Sequence, residues 1–109
     1  MSKLDLDDYR AILAIFERRH FGQSASQLGV TQPSLPSRLK RIEERLSARL
    51  FERSRRGVEP TAVGLAIAEA AQDVVRVADD AEQVARNASA GKGQILRVGF
   101  TQIAAQTVV

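Results

Sequence analysis

The side chains best suited to chemistry in this 109-residue sequence are basic ones concentrated in a single region. Residues 37–56 carry eight basic and three acidic side chains, residues 21–36 carry no charge, and residues 59–90 carry two basic and six acidic side chains. One segment is therefore +5 and another is −4 within a chain whose net charge is +3. A basic region of this density is suited to binding a polyanion, and the acidic segment should avoid it. The basic residues are Arg38, Lys40, Arg41, Arg45, Arg49, Arg53, Arg55 and Arg56.

Groups for catalysis or metal binding lack the partners that they would need. His20 is the only histidine and cysteine is absent, so His20 is predicted to be a surface residue rather than a ligand or base. Glu43 is expected to pair with nearby arginines and keep them extended. We predict no catalytic residue, no metal site and no cofactor, and we expect that the protein is not an enzyme.

Composition also indicates the cellular compartment of the protein. The absence of cysteine excludes a disulfide framework and fits a reducing compartment. No apolar run approaches the roughly 18 residues of a membrane span, and the N-terminus has acidic residues where a signal sequence would be apolar. These features predict a cytoplasmic protein with no membrane partner.

Apolar periodicity predicts two helices before the basic region. The apolar residues Leu6, Tyr9, Leu13 and Phe16 recur at spacings of three and four, with Ile12 beside them, which indicates a helix over residues 6–19. A short helix over residues 23–28 should follow, with Gly22 as a possible N-cap and Gly29 as its C-terminal stop.

A third, strongly basic helix is predicted over residues 31–46. Its buried stripe repeats at spacings of four, three and four. Pro33 and Pro36 lie near its start. Pro33 costs little in the first turn, but Pro36 has no N–H for the Gln32 carbonyl. Either the first turn should be loosened, or regular helix should begin late, with Ser34 as its effective cap. A helix, a short turn and a basic helix together have the layout of a helix-turn-helix reader of DNA. The predicted buried residues are Leu35, Leu39, Ile42 and Leu46.

The remaining residues predict a hairpin and then a long helix. Residues 50–60 should form a small hairpin with Arg55, Arg56 and Gly57 at its tip and Pro60 at the end of its second strand. Thr61 should cap a helix over residues 62–89, and residues 94–100 should form a strand. At about 1.5 Å per residue this helix would be roughly 42 Å long, so much of it should project and pair with a second copy through a heptad stripe. The predicted dimerisation residues are Ile67, Ala71, Val74, Ala78, Ala81, Ala85 and Ala88.

Three stretches resemble the N-terminal part of LysR-type transcriptional regulators. They are FGQSASQLGVTQPSLPSRLKRIEERL, LFERSRRGVEPTAVG and GQILRVGF. The resemblance implies a mainly α fold, a winged helix-turn-helix with a long C-terminal linker helix. It implies a DNA-binding domain over residues 1–60, a dimerisation linker helix over 61–90 and the truncated start of an effector-binding domain over 91–109. The sequence departs from the family pattern at Ser24, Pro36, Ser37 and Pro60.

The function that follows is sequence-specific binding of double-stranded operator DNA by a homodimer, with helix 31–46 in the major groove. The full-length protein would form a higher oligomer and bind a small-molecule effector only through the missing domain. Base contacts are expected from the turn and first half of the helix, with Pro36 able to touch a thymine methyl and Arg41 on phosphate. The alternative is a helical oligomerisation module without specific DNA reading. The predicted DNA-binding residues are Gln32, Pro33, Ser34, Pro36, Ser37, Arg38, Arg41, Arg53, Arg55 and Arg56.

Overall fold

The computed structural model describes residues 3–90 and confirms the mainly α class. The predicted strand at 94–100 and the whole of segment 91–109 lie outside the described residues. The chain divides into two compact units, one ending at Val75 and the other beginning at Arg76. The elements are α1 (Leu6–Arg18), α2 (Phe21–Leu28), α3 (Ser34–Leu46), β1 (Phe51–Ser54), β2 (Gly57–Pro60) and α4 (Ala62–Ser89).

Helix α1 buries a face slightly different from the predicted one. Its most buried large residues are Ile12 and Ile15, both fully enclosed. Tyr9 and Phe16, which were predicted to lead the buried stripe, are half-buried and pack against the edge of the core. The helix starts at a reciprocal capping box, in which the side chains of Asp5 and Asp8 each accept the other's backbone N–H.

Helix α2 begins at Phe21, two residues before the prediction, and its N-cap is His20 rather than Gly22. The prediction that His20 has only a surface position missed this role: the imidazole Nδ1 accepts a hydrogen bond from the Gln23 N–H at 3.0 Å. An acceptor side chain at this position satisfies one of the free amides of the first turn. Gly29 ends the helix in the left-handed region, at φ 71°, as predicted.

Helix α3 begins at Ser34, so the expected start at residue 31 was wrong and the expected late start is confirmed. Its N-cap is Pro33, not Ser34. Pro36 has no N–H for the carbonyl of Gln32, and the Leu35 N–H donates to that carbonyl instead, at 3.3 Å. The proline is therefore accommodated by a tightened first turn, at a position where a free amide would cost little.

Strands β1 and β2 form the predicted hairpin, antiparallel, with Phe51 opposite Pro60 and Ser54 opposite Gly57. The hairpin leads directly into α4, whose bounds match the predicted 62–89. Thr61 caps this helix by accepting the Gly64 N–H at 3.0 Å. Gly64 is required there because a Cβ atom at this position would overlap the Leu50 carbonyl oxygen.

Candidate nucleic-acid interface

The outer face of α3 is exposed and basic. Leu35, Leu39 and Ile42 are buried on its inner face, as predicted, but Leu46 is 38% exposed. On the opposite side Ser37, Lys40 and Arg41 are exposed. Glu44 is the only acidic residue of α3 that is exposed. The outer face of the helix therefore carries a net positive charge, and the short hydroxyl side chain of Ser37 lies near its start.

The turn before α3 presents polar groups at the same end of the helix. Gln32, Pro33 and Ser34 are all exposed. The Gln32 side chain lies next to Gly22. A Cβ atom added at Gly22 would come within 3.3 Å of the Gln32 amide oxygen. The hydroxyl of Ser34 donates to the Thr31 carbonyl at 2.6 Å. The Ser34 hydrogen bond supports the turn, and Gln32 remains exposed.

Arg38 does not project with the other predicted contact residues. Its Nη1 donates to Oδ1 of Asp8 at 2.8 Å, and its side chain is only 32% exposed. Successive helix residues are about 100° apart, so Arg38 leaves α3 on a different side from Ser37. The guanidinium instead points toward the start of α1. The base contact by Arg38 stays a prediction, and in this structure Arg38 joins α3 to α1.

The hairpin places a second basic group beside α3. Arg55 and Arg56 are exposed in the turn that joins β1 to β2. The hairpin is fixed to the end of α1 by a hydrogen bond from the Val58 N–H to the Arg19 carbonyl at 3.2 Å. Gly57, at φ 114°, permits this approach, since a Cβ atom would lie 2.8 Å from that carbonyl oxygen.

Arg53, on β1, is exposed but held in place by an aromatic ring. Its guanidinium carbon lies 4.7 Å from the ring centre of Phe21, the first residue of α2. A cation over an aromatic face is stabilised by the ring quadrupole, and the contact restricts the long side chain without neutralising its charge.

Glu43 sets the spacing between α3 and the hairpin. Its Oε2 accepts the N–H of Leu50 at 2.7 Å and that of Phe51 at 3.3 Å, while the Nε of Arg49 lies 3.8 Å away. The expected pairing with an arginine is present, but the shorter contacts are to backbone amides. A carboxylate that accepts backbone N–H groups forms a strong, directional link.

An open groove of about 780 Å³ runs between α3 and the hairpin. Pro36 and Ser37 line it from α3, and Phe51 and Val58 line it from the hairpin. Lys40 and Arg53 stand on its opposite sides. The lining therefore combines apolar side chains with cations from both elements, and the carboxylates of Glu43 and Glu52 also lie along it.

The predicted dimerisation stripe on α4 is partly turned toward the chain's own core. Ala71 is fully buried within the chain and Ala78 is half-buried, so Ala71 is unavailable to a partner. Val63 and Val77, which were not predicted, are 49% and 45% exposed. Another apolar stripe on α4 has an unbroken spacing of four and three, and all its members are exposed except Ile67 and Val84, which are half-buried. Its members are Val63, Ile67, Ala70, Val74, Val77, Ala81, Val84 and Ala88. Ala85, also predicted, is exposed beside this stripe.

Two sets of contacts were not predicted: those of Asp8 with the arginines of α3, and those of Glu43 with the backbone amides of Leu50 and Phe51. For Asp8 a partial signal was available, because Asp5 and Asp8 have the spacing of a capping box. Within residues 3–90 no group of three metal-binding side chains occurs. In the same range no helix has the length and apolarity to cross a membrane.

Comparison with known proteins gives a consistent match. The model of the family described as bacterial regulatory helix-turn-helix protein, lysR family, matches residues 6–65. The HTH-type transcriptional regulator BudR of Klebsiella aerogenes is 37% identical over 98 residues, which are 90% of this chain and 68% of BudR. The chain spans a smaller share, 34% and 36%, of two further curated relatives, both also HTH-type transcriptional regulators.

Solved structures of isolated DNA-binding domains have the same fold. The CbnR domain in complex with DNA superimposes with a TM-score of 0.70 at 29% identity, over 79% of this chain and 99% of that one. The BenM domain in complex with catB site 1 DNA superimposes with a TM-score of 0.73 at 26% identity, over 79% of this chain and 97% of that one. The helix-turn-helix, the two-stranded wing and the long C-terminal helix are thus one known arrangement.

Proposed function

Because the chain belongs to the LysR family of bacterial helix-turn-helix regulators, we propose that it binds double-stranded operator DNA as a homodimer. In this proposal α3 enters the major groove and the wing lies along the adjacent backbone. The observation that carries it is the exposed basic face of α3 next to a wing fixed in position by Glu43. The DNA complexes of the similar CbnR and BenM domains support it.

Base contacts are assigned to the exposed residues near the start of α3. Gln32 and Ser37 have the donors and acceptors that discriminate base edges, and the half-buried ring of Pro36 lies beside them as an apolar surface for a thymine methyl. Lys40 and Arg41, further along the same face, reach phosphate. Pro33 and Ser34 shape the turn that brings Gln32 to the groove.

Phosphate contacts from the wing would fix the orientation of α3 on the duplex. Arg55 and Arg56 are exposed at the wing tip, and Arg53 is oriented by Phe21 on the wall of the groove. Contacts of this type carry no sequence information, but they set the register in which α3 meets the bases.

The homodimer would form through the exposed apolar stripe of α4 that begins at Val63. Three valines in it, Val63, Val74 and Val77, are each at least 39% exposed, and apolar side chains in heptad spacing are covered efficiently by a second helix. The same stripe would serve an oligomerisation module that reads no DNA, and the DNA titration below separates the two functions.

The domain limits stay as predicted for the whole protein. Residues 1–60 would form the DNA-binding domain, 61–90 the dimerisation linker, and 91–109 the start of an effector-binding domain. A small-molecule effector and any assembly beyond the dimer would depend on that further domain. We propose no enzymatic role, and a DNA partner predicts residence in the cytoplasm.

The proposal is tested by fluorescence anisotropy with labelled duplex between about 50 and 200 mM salt. Each phosphate contact contributes roughly 0.9 to the slope of log affinity against log salt. Arg55→Ala with Arg56→Ala should lower the slope by about 1.8 and weaken binding to all sequences alike. Arg76→Ala with Arg86→Ala, the same charge change on α4, should leave the slope as it is. Equal slopes for the two double variants would contradict the proposed wing contact, and a chain with no salt-dependent binding would favour the oligomerisation module.

A further inference from the structure

Asp8 is the only fully buried charged residue within residues 3–90. It lies in the first turn of α1, away from the proposed DNA contacts. Burying a carboxylate costs free energy unless it is paired and hydrogen-bonded. The contacts that offset this cost for Asp8 come largely from the arginines of α3.

What Asp8 holds is α3. Its Oδ1 accepts from Nη1 of Arg38 at 2.8 Å, and its Oδ2 lies 3.6 Å from Nη1 of Arg45. Oδ2 also accepts the Asp5 N–H at 3.0 Å, which completes the capping box. One carboxylate thus engages two arginines, almost two turns apart on α3, as well as a backbone amide of its own helix.

This engagement withdraws cations from the DNA side. Arg38 lies one turn after Ser34 and three residues before Arg41, which are both exposed. Residues three or four positions apart are neighbours on a helix surface. If Arg38 were released from Asp8, its side chain could therefore turn toward the exposed face of α3 that is proposed to meet DNA. Arg38 and Arg45 are therefore both paired with Asp8 within the fold.

We propose that Asp8 is a positioning and specificity-determining residue of the DNA interface. By holding Arg38 and Arg45 it keeps two strong phosphate-binding groups off the duplex and fixes the rotation of α3 about its axis. Sequence-independent affinity rises with each phosphate neutralised. When sequence-independent affinity is limited in this way, the base contacts of α3 contribute a larger fraction of the total binding free energy. The inference rests on the proposed function.

The test compares Asp8→Asn with Asp5→Asn. Both variants remove one negative charge at the same helix end, and asparagine at the N-cap preserves the cap. Asp5 Oδ1 lies 3.9 Å from the Arg38 Nη1, against 2.8 Å for Asp8 Oδ1, so Asp5→Asn controls for the lost charge while the shorter contact to Arg38 remains. Affinity is measured for a random-sequence duplex and for a site selected by the native chain from a random duplex library. Asp8→Asn should steepen the salt slope on random DNA by about 0.9 for each released arginine that reaches a phosphate. It should also lower the ratio of selected to random affinity.

A double variant assigns the effect to the arginine. Adding Arg38→Gln to Asp8→Asn should remove the part of the steepening due to Arg38 and restore part of the discrimination. A folded Asp8→Asn chain whose slope and discrimination equal those of Asp5→Asn would overturn the inference, because Asp8 would then support the fold alone. A native chain that selects no site would instead contradict the proposed function.

Nuclear magnetic resonance of the native chain tests the inference even where Asp8→Asn does not fold. A guanidinium held by Asp8 should give slowly rotating, separated Nη–H signals for Arg38 in the free chain. These signals should persist with little change when the selected duplex is added, while those of Arg41 shift. Arg38 signals that respond to DNA as strongly as those of Arg41 would overturn the inference.

Discussion

Replacing Glu43 by alanine should destabilise the chain and loosen the wing together. The carboxylate accepts the Leu50 N–H at 2.7 Å and the Phe51 N–H at 3.3 Å, and both of these residues are buried. A hydrogen bond to a charged group contributes about 1.5–3 kcal/mol. The second contact is longer than an ordinary N–H···O bond and adds less. The expected loss in the free energy of unfolding is therefore about 2–4 kcal/mol.

Urea unfolding followed by circular dichroism measures this loss, and Glu44→Ala is the matched control. Glu44 is the adjacent residue, has the same charge and is exposed on the outer face of α3, where substitutions usually change stability by less than about 0.5 kcal/mol. Glu43→Gln keeps an acceptor and should fall between the two. Equal unfolding free energies for Glu43→Ala and Glu44→Ala would refute the reasoning that the carboxylate fixes the wing to α3.

Three further outcomes are expected. Val77→Glu should convert a dimer to a monomer in sedimentation, because it places a carboxylate in the proposed apolar seam. Leu65 is equally exposed but lies outside the seam, so Leu65→Glu should leave the dimer intact. A dimeric Val77→Glu chain would exclude that seam. Gly64→Ala should lower the unfolding free energy by at least about 2 kcal/mol, because backbone fills the space a methyl would need; an unchanged urea midpoint would contradict this. The pKa of Asp5 lies below its usual range, chiefly because its carboxylate accepts the Asp8 N–H and secondarily because cations lie near it. The stability from this cap is present above the ordinary aspartate pKa and is lost as pH falls through the lowered value. Thermal unfolding of Asp5→Asn should therefore be less sensitive to pH between 5 and 2, and parallel curves would argue against a role for the charge.

Local patterns were enough to predict most elements of the fold. The bounds of α4 follow from Thr61 and an alanine-rich run, and the hairpin follows from a basic turn that ends in Gly57. The late start of α3 follows from Pro36. These signals lie within a few residues of the feature they predict, which is why periodicity and capping rules detect them.

The parts that sequence could not supply depend on distant partners. Arg38 has the residue type of a base reader, and only the approach of Asp8, 30 residues away, shows that its guanidinium is engaged. On α4 the predicted stripe, which contains Ala71, and the stripe that begins at Val63 have the same spacing and share several residues. Both patterns exist in the sequence because alanine and valine occupy several faces of this helix. Only the burial of Ala71 against the chain's own core shows which stripe is free.

Site-directed DNA cleavage tests the central claim, that α3 enters the major groove, most directly. The chain has no cysteine, so Ser37→Cys creates a single thiol on the outer face of α3 for an iron chelate. If α3 lies in the major groove, the selected duplex should be cleaved in two clusters, one for each subunit, separated by about one helical turn or a multiple of it. Glu69→Cys, exposed on α4, should give no such clusters. Uniform cleavage from Ser37→Cys, indistinguishable from that of Glu69→Cys, would contradict the placement of α3 in the groove.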